Sequence, residues 1–163
     1  MENTREAALT RLRELGLSFE VEEHPAVYTI EEMEGLGLTG KGDVCKNLFL
    51  RDYKGKKHYL VVLAKDKRAD LKTLAARLSS TPLSFASPER LAACLGLEKG
   101  AVTPLGVVND AAHAVTVVVD SDLRCRRRLG VHPNVNTATV WLAPEALEAY
   151  VRSCGNPLVY LPI

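Results

Sequence analysis

Three stretches of this chain lodge polar or conformationally special residues inside otherwise apolar runs. Lys46 and Asn47 open KNLFL, directly after Val44 and Cys45. A lysine there is costly if buried and useful if it faces a cleft, where an ammonium holds a phosphate or polarises a carbonyl; a plain strand-end lysine is the other reading. Gly100-Ala101-Val102-Thr103-Pro104 is a glycine-to-proline loop of small side chains. Its backbone N–H groups can approach a ligand closely, or it is simply a turn. In GVHPNVNTATVWL, residues 130–142, His132, Asn136, Thr137 and Thr139 crowd the mouth of an apparent strand. His132 suits proton transfer or ligand orientation, with a structural histidine as the alternative.

Other chemistries are excluded by spacing. Cys45, Cys94, Cys125 and Cys154 form no C-x-x-C pair, and His24, His58, His113 and His132 are equally scattered. No metal site and no cofactor is therefore expected, and the thiols read as reduced and mostly buried. There is no G-x-S-x-G elbow, no P-loop and no G-x-G-x-x-G after a strand. Glu22-Glu23 and Glu31-Glu32 are adjacent pairs, which do not converge on one point in a helix or a strand.

The formal net charge is only +1, but it is unevenly spread. Residues 1–40 carry nine acids and three bases, whereas 41–72 carry ten bases and four acids. A second basic knot, LRCRRRLG, holds Arg124, Arg126, Arg127 and Arg128. Such patches serve as electrostatic footprints for phosphates, or are solvated loops with unrelated partners.

The elements that must position these groups follow from pattern. Leu9, Leu12 and Leu15 predict a helix over 3–15, stopped by Gly16. SFEVEEH alternates as a short strand before Pro25. Thr29-x-x-Glu32 is a capping box opening a helix through about Glu34. KNLFLRD and HYLVVLA flank DYKGKK as a β-hairpin. Helices are expected from Asp70 to Leu78, from Ser87 to Leu95 and from Pro144 to Cys154. LEKGAVTPLGVVND should be a loop feeding a short strand, AVTVVVD a buried strand, and PLVYLPI a terminal edge segment. With 163 residues, 47% of them hydrophobic, one domain over 1–163 is expected. Its class is α+β, with a mixed, largely antiparallel sheet packed by helices. No run is long enough to span a bilayer, and the charged N-terminus lacks a signal peptide's apolar core, so a cytoplasmic protein without membrane contact is expected.

Taken in order and at their distances, KNLFLRDYKGKKHYLVVL, GAVTPLGVVND and VHPNVNTATVWL resemble the prolyl-tRNA editing family. That family comprises the free-standing ProX proteins, the YbaK-type deacylases and the editing insertion of bacterial prolyl-tRNA synthetases. The resemblance covers nearly the whole chain and is nearest to the branch that hydrolyses alanyl-tRNA carrying the proline anticodon. It implies the YbaK-like editing fold and catalytic positions at Lys46, Asn47 and His132. It further implies that Gly100, Ala101, Val102, Thr103 and Pro104 shape the amino-acid pocket, with Asn136 and Thr137 beside His132. Cys45 departs from the small residue expected before the lysine.

The implied reaction is hydrolysis of an aminoacyl ester by water, without a covalent enzyme nucleophile. By the same resemblance, the terminal ribose hydroxyl assists the water and the amides near Gly100 contact the substrate. Lys46 anchors the terminal phosphate or the carbonyl, and His132 and Asn47 orient the ester. The basic segments, Lys54, Lys56 and Lys57 in the hairpin and Arg126, Arg127 and Arg128 in the knot, are expected on the tRNA. The expected partners are the acceptor end of a mischarged proline tRNA and prolyl-tRNA synthetase. The rivals are a cysteinyl- or seryl-tRNA deacylase and a non-catalytic acceptor-end binding module.

Overall fold

The computed structural model describes residues 4–163. The β-branched and leucine-rich runs at 58–64 and 115–120 are buried on both faces and sit at the centre of one mixed sheet, as such continuous apolar strands require. In chain order the elements are α1 (Thr4–Glu14), β1 (Phe19–Glu23), α2 (Ile30–Gly35), β2 (Asp43–Arg51), β3 (His58–Ala64), α3 (Leu71–Arg77), β4 (Ser84–Phe85), α4 (Pro88–Leu95), β5 (Val115–Asp120), β6 (Leu129–Val131), β7 (Ala138–Leu142), α5 (Pro144–Ser153) and β8 (Leu158–Leu161). The first helix was expected from residue 3, which lies outside the described residues.

The strand order is β1-β7-β6-β2-β3-β5-β8, with β4 pairing on β2. The pairs β1–β7, β6–β7, β2–β3 and β2–β4 are antiparallel, while β2–β6, β3–β5 and β5–β8 are parallel. The architecture is thus α+β with a mixed sheet, as the sequence pattern implied. One face carries the larger core, where Leu9 and Leu12 of α1, Leu91 and Leu95 of α4, and Leu147, Tyr150 and Val151 of α5 meet Leu60, Val62, Val117 and Val119. Leu74 and Ala75 of α3 cover Val61, Leu63 and Val118 on the other face.

The stretch 97–110 differs from expectation. No strand precedes Asp110; two 3₁₀ turns, Lys99–Ala101 and Pro104–Asn109, take its place. Local chemistry decides this, because Thr103 Oγ1 accepts from the Leu105 N–H and Pro104 starts the turn with a fixed φ. The short strands β4 and β6 were not foreseen, since two or three residues carry no readable period.

One detail of topology positions the site. Both β6 and β4 pair with the edge of β2 away from β3: β6 over Asp43 and Val44, β4 over Leu50 and Arg51. Between these pairings the middle of β2 has no strand neighbour on that edge. Lys46 and Asn47 lie in this gap.

Candidate active-site cleft

A cleft of about 290 Å³ opens at the gap in β2. Its floor is Val44, Cys45, Lys46 and Asn47; one side is Gly130, Val131 and His132 with Thr139 of β7; the other is Lys99, Gly100 and Val102; Val27 to Met33 forms the roof. Four segments far apart in sequence therefore meet at one place.

Each segment is fixed by identifiable local chemistry. The roof helix α2 starts with the expected capping box: Thr29 Oγ1 accepts from the Glu32 N–H at 3.1 Å, and Glu32 Oε2 accepts from the Tyr28 N–H at 3.2 Å. Val27, Met33, Val44 and Trp141 pack together beneath it. Gly130 permits this packing, because a Cβ there would lie 2.6 Å from the Trp141 ring. The segment leading into the roof is stitched to the 136–139 stretch. His24 N donates to Thr137 O at 3.0 Å, Val27 N to Asn136 O at 3.2 Å, and Asn136 Nδ2 to Val27 O at 3.1 Å. The loop at 99–104 is held by Thr103, whose Oγ1 donates to the His132 carbonyl at 2.6 Å.

The polar groups then have distinct states. Lys46 is half-buried in the cleft and has no ion-pair partner among the described residues, nor has the exposed Lys99 on the rim. Asn47 Oδ1 is buried without a hydrogen-bond partner among the described residues, a costly arrangement unless a ligand donor meets it. His132 Nδ1 lies 3.0 Å from the Ala138 carbonyl. That carbonyl can only accept, so Nδ1 carries the proton and Nε2 is left as an acceptor. Burial holds the His132 pKa below its ordinary 6.5; the Ala138 hydrogen bond opposes this and nearby His24 adds to it. The ring is therefore neutral at physiological pH. The Cys45 thiol is pushed up to about 12, chiefly by burial and secondarily by Asp43. It stays protonated and is no nucleophile.

The residues singled out from sequence separate on this geometry. Lys46, Asn47, Gly100, Val102 and His132 converge on the cleft. Ala101, Thr103 and Pro104 are buried behind the loop and do not line it. Asn136 lies against Gly100, its Nδ2 only 3.2 Å from where a Cβ would stand, with its amide already donating to Val27. Thr137 is exposed and contributes its carbonyl to His24. Asn134 is turn chemistry: it adopts φ 62° and donates Nδ2 to Thr4 O at 2.9 Å.

The basic segments sit at opposite ends of β2. Lys54, Lys56 and Lys57 cap the hairpin, beyond Arg51 and roughly 16 Å along the strand from Lys46 at about 3.3 Å per residue. At the other end Arg126 pairs with Asp43 at 3.1 Å and Arg128 with Glu20 at 3.0 Å, leaving Arg127 exposed without a partner.

Several residues in or next to the cleft were not marked from sequence. His24 Nδ1 donates to the Pro25 carbonyl at 2.8 Å, and its Nε2 meets Thr139 Oγ1 at 2.9 Å. Its ring lies 6.4 Å from that of His132. Tyr28, 71% exposed, stands over Gly100, and Lys99 lines the rim. Only the pairing of β1 with β7 brings His24 to Thr139, which no local pattern announces. Among the described residues no group of three His, Cys, Asp or Glu could hold a metal ion, and no helix is long and apolar enough to cross a membrane.

Residues 24–150 match the family model for the aminoacyl-tRNA editing domain. The chain is 49% identical over 154 residues to the prolyl-tRNA editing protein ProX of Acetoanaerobium sticklandii, covering 94% of each chain. It is 34% identical over 160 residues to prolyl-tRNA synthetase associated domain-containing protein 1 of Bos taurus, covering 96% of this chain and 94% of that one. In fold it is similar to a crystal structure of a candidate trans-editing enzyme for prolyl tRNA synthetase, with a TM-score of 0.75 at 23% identity over 100% and 99% of the two chains. The chain belongs to the aminoacyl-tRNA editing domain family.

Proposed function

We propose that this protein is a trans-editing deacylase that hydrolyses alanyl-tRNA carrying the proline anticodon, with prolyl-tRNA synthetase as the enzyme whose errors it corrects. The observation that carries the reading is an unpaired ammonium, Lys46, beside an unsatisfied buried acceptor, Asn47 Oδ1, in the cleft where the family's motifs converge. The 49% identity to a prolyl-tRNA editing protein supports the tRNA-editing part of this reading.

In this reading the acyl group and terminal ribose occupy the cleft. Water attacks the ester carbonyl carbon, the acyl C–O bond to the ribose breaks, and the ribose oxygen leaves with a proton. The products are free alanine and uncharged tRNA. The ester is already activated, so positioning and charge stabilisation suffice. Lys46 stabilises the oxyanion or holds the terminal phosphate, neutral His132 accepts a hydrogen bond at Nε2 from a substrate donor, and Asn47 Oδ1 accepts another. Gly100 lets Tyr28 close over the loop at the cleft, since a Cβ would lie 2.8 Å from its ring.

Selectivity follows from shape. A synthetase site built for proline discriminates weakly against a smaller residue, since each missing methylene is worth only about 1–3 kcal/mol. An apolar roof of Val27, Ile30 and Met33 over Gly100 and Val102 accepts a methyl group and clashes with a pyrrolidine ring. The test is side-by-side hydrolysis of alanyl-, prolyl-, seryl- and cysteinyl-tRNA under single turnover. Alanine released fastest and proline retained is the expected result. Faster release of serine or cysteine would reassign the substrate, and no release at all would indicate a binding module.

A further inference from the structure

A second groove, of about 400 Å³, continues from the cleft and shares Asn47, Lys99 and Val102 with it. It runs along the same unpaired edge of β2 and is bounded on its far side by β4. Its walls are apolar, with Phe49 and Leu91 at the back and Phe85 on the rim. Phe85 is 62% exposed and belongs to neither core. A large aromatic placed in water beside a candidate active site has no packing role to account for it.

We propose that this groove receives the base of the terminal nucleoside of the aminoacyl-tRNA, stacked on Phe85. The inference rests on the deacylase reading above and extends it to a second subsite. The ester group lies on a ribose that also bears a base, so a base site must adjoin the acyl site within one nucleoside's reach. This groove meets that condition through its shared residues. A mostly apolar groove with an exposed aromatic ring on its rim fits a π-face, and stacking of this kind tolerates any base. Two polar groups stand at the junction where the ribose and its phosphate would lie: the unpartnered Asn47 Oδ1 as an acceptor and the unpaired Lys99 as a cation. Along β2 the order is then acyl cleft, base groove and the lysine-rich hairpin tip; the polynucleotide continues from the phosphate at the junction, with Lys54, Lys56 and Lys57 as cations for it to follow along β2.

Phe85→Ala and Phe85→Trp test the proposal, because an exposed rim residue can be exchanged without loss of the fold. In single-turnover hydrolysis, Phe85→Ala should raise the protein concentration needed for half-maximal rate about tenfold, with the maximal rate within about twofold of wild type. Phe85→Trp should restore the wild-type value. In a second arm, millimolar AMP titrated into the wild-type protein should move the amide NMR signals of Phe85, Ala86 and Leu91, and should not do so in Phe85→Ala. Unchanged half-saturation in Phe85→Ala, or AMP shifts absent from these residues, would overturn the groove assignment. The AMP arm contains no amino acid, so its result stands apart from the identity of the hydrolysed ester. The kinetic arm is run on whichever aminoacyl-tRNA the wild type cleaves.

Discussion

At the scale of single residues, His132 and Thr103 show how one polar run serves both chemistry and architecture. The folded state holds His132 below its ordinary pKa of 6.5, with burial the largest cause. As pH falls, the unfolded chain therefore binds the proton first. The penalty is absent well above 6.5 and grows as pH drops through the unfolded value toward the folded one. Protonation also removes the Nε2 acceptor from the cleft. Single-turnover rates should accordingly show an acid limb with its inflection below 6.5, and His132→Gln should be slower but lack that limb over about pH 5 to 7. An unchanged limb in the variant would assign the titration elsewhere. Thr103 is different, since it is fully buried and donates to the His132 carbonyl. Thr103→Val removes that donor and should cost about 1–3 kcal/mol in denaturant unfolding.

At the scale of elements, the cleft depends on what the roof and the 99–104 loop leave open. Gly100→Ala places a methyl 2.8 Å from the Tyr28 ring and 3.2 Å from Asn136 Nδ2. Tyr28 is exposed and can swing away, so the melting temperature should stay near that of wild type. With the Tyr28 ring moved from its place in the cleft lining, kcat/KM should nonetheless fall about tenfold to a hundredfold. Hairpin, helices and buried strands were legible because each spans enough residues for its period or caps to show; the Thr29–Glu32 box and the Asp70 and Ser87 caps are all present. The site was legible only in part. Lys46, Asn47, Gly100, Val102 and His132 could be marked because polar or glycine residues interrupt apolar runs. His24, Tyr28 and Lys99 could not, because their proximity arises from β1–β7 pairing and from the path of the roof. The burial of Ala101, Thr103 and Pro104 was equally hidden, since two successive 3₁₀ turns press 103–107 into the core where a loop reading assigns no direction.

At the scale of the whole molecule, a near-neutral protein sets one run of cations, Lys46, Lys54, Lys56 and Lys57, along β2 and its hairpin without an acid partner among the described residues. Arg126 and Arg128 are committed to Asp43 and Glu20, whereas Lys46, Lys99 and the hairpin lysines have no acid partner among the described residues. tRNA affinity should therefore fall as salt rises, with each neutralised phosphate of a single-stranded end contributing a log–log slope of about −0.7. Replacing Lys54, Lys56 and Lys57 together by alanine should flatten that slope by about 2. Replacing Arg126 and Arg128 should change it less. Binding measured across a salt series by fluorescence anisotropy checks both, and equal effects would mean that the acceptor stem does not follow β2 toward the hairpin.

The central claim, that the cleft at the gap in β2 performs the hydrolysis, is tested most directly by Lys46→Ala. Its side chain is half-buried and unpaired, so its removal should leave thermal unfolding unchanged. Loss of the ammonium on the cleft floor, placed to meet developing negative charge, should slow single-turnover deacylation of alanyl-tRNA by roughly a hundredfold or more. A folded Lys46→Ala protein that cleaves the ester at the wild-type rate would contradict the account.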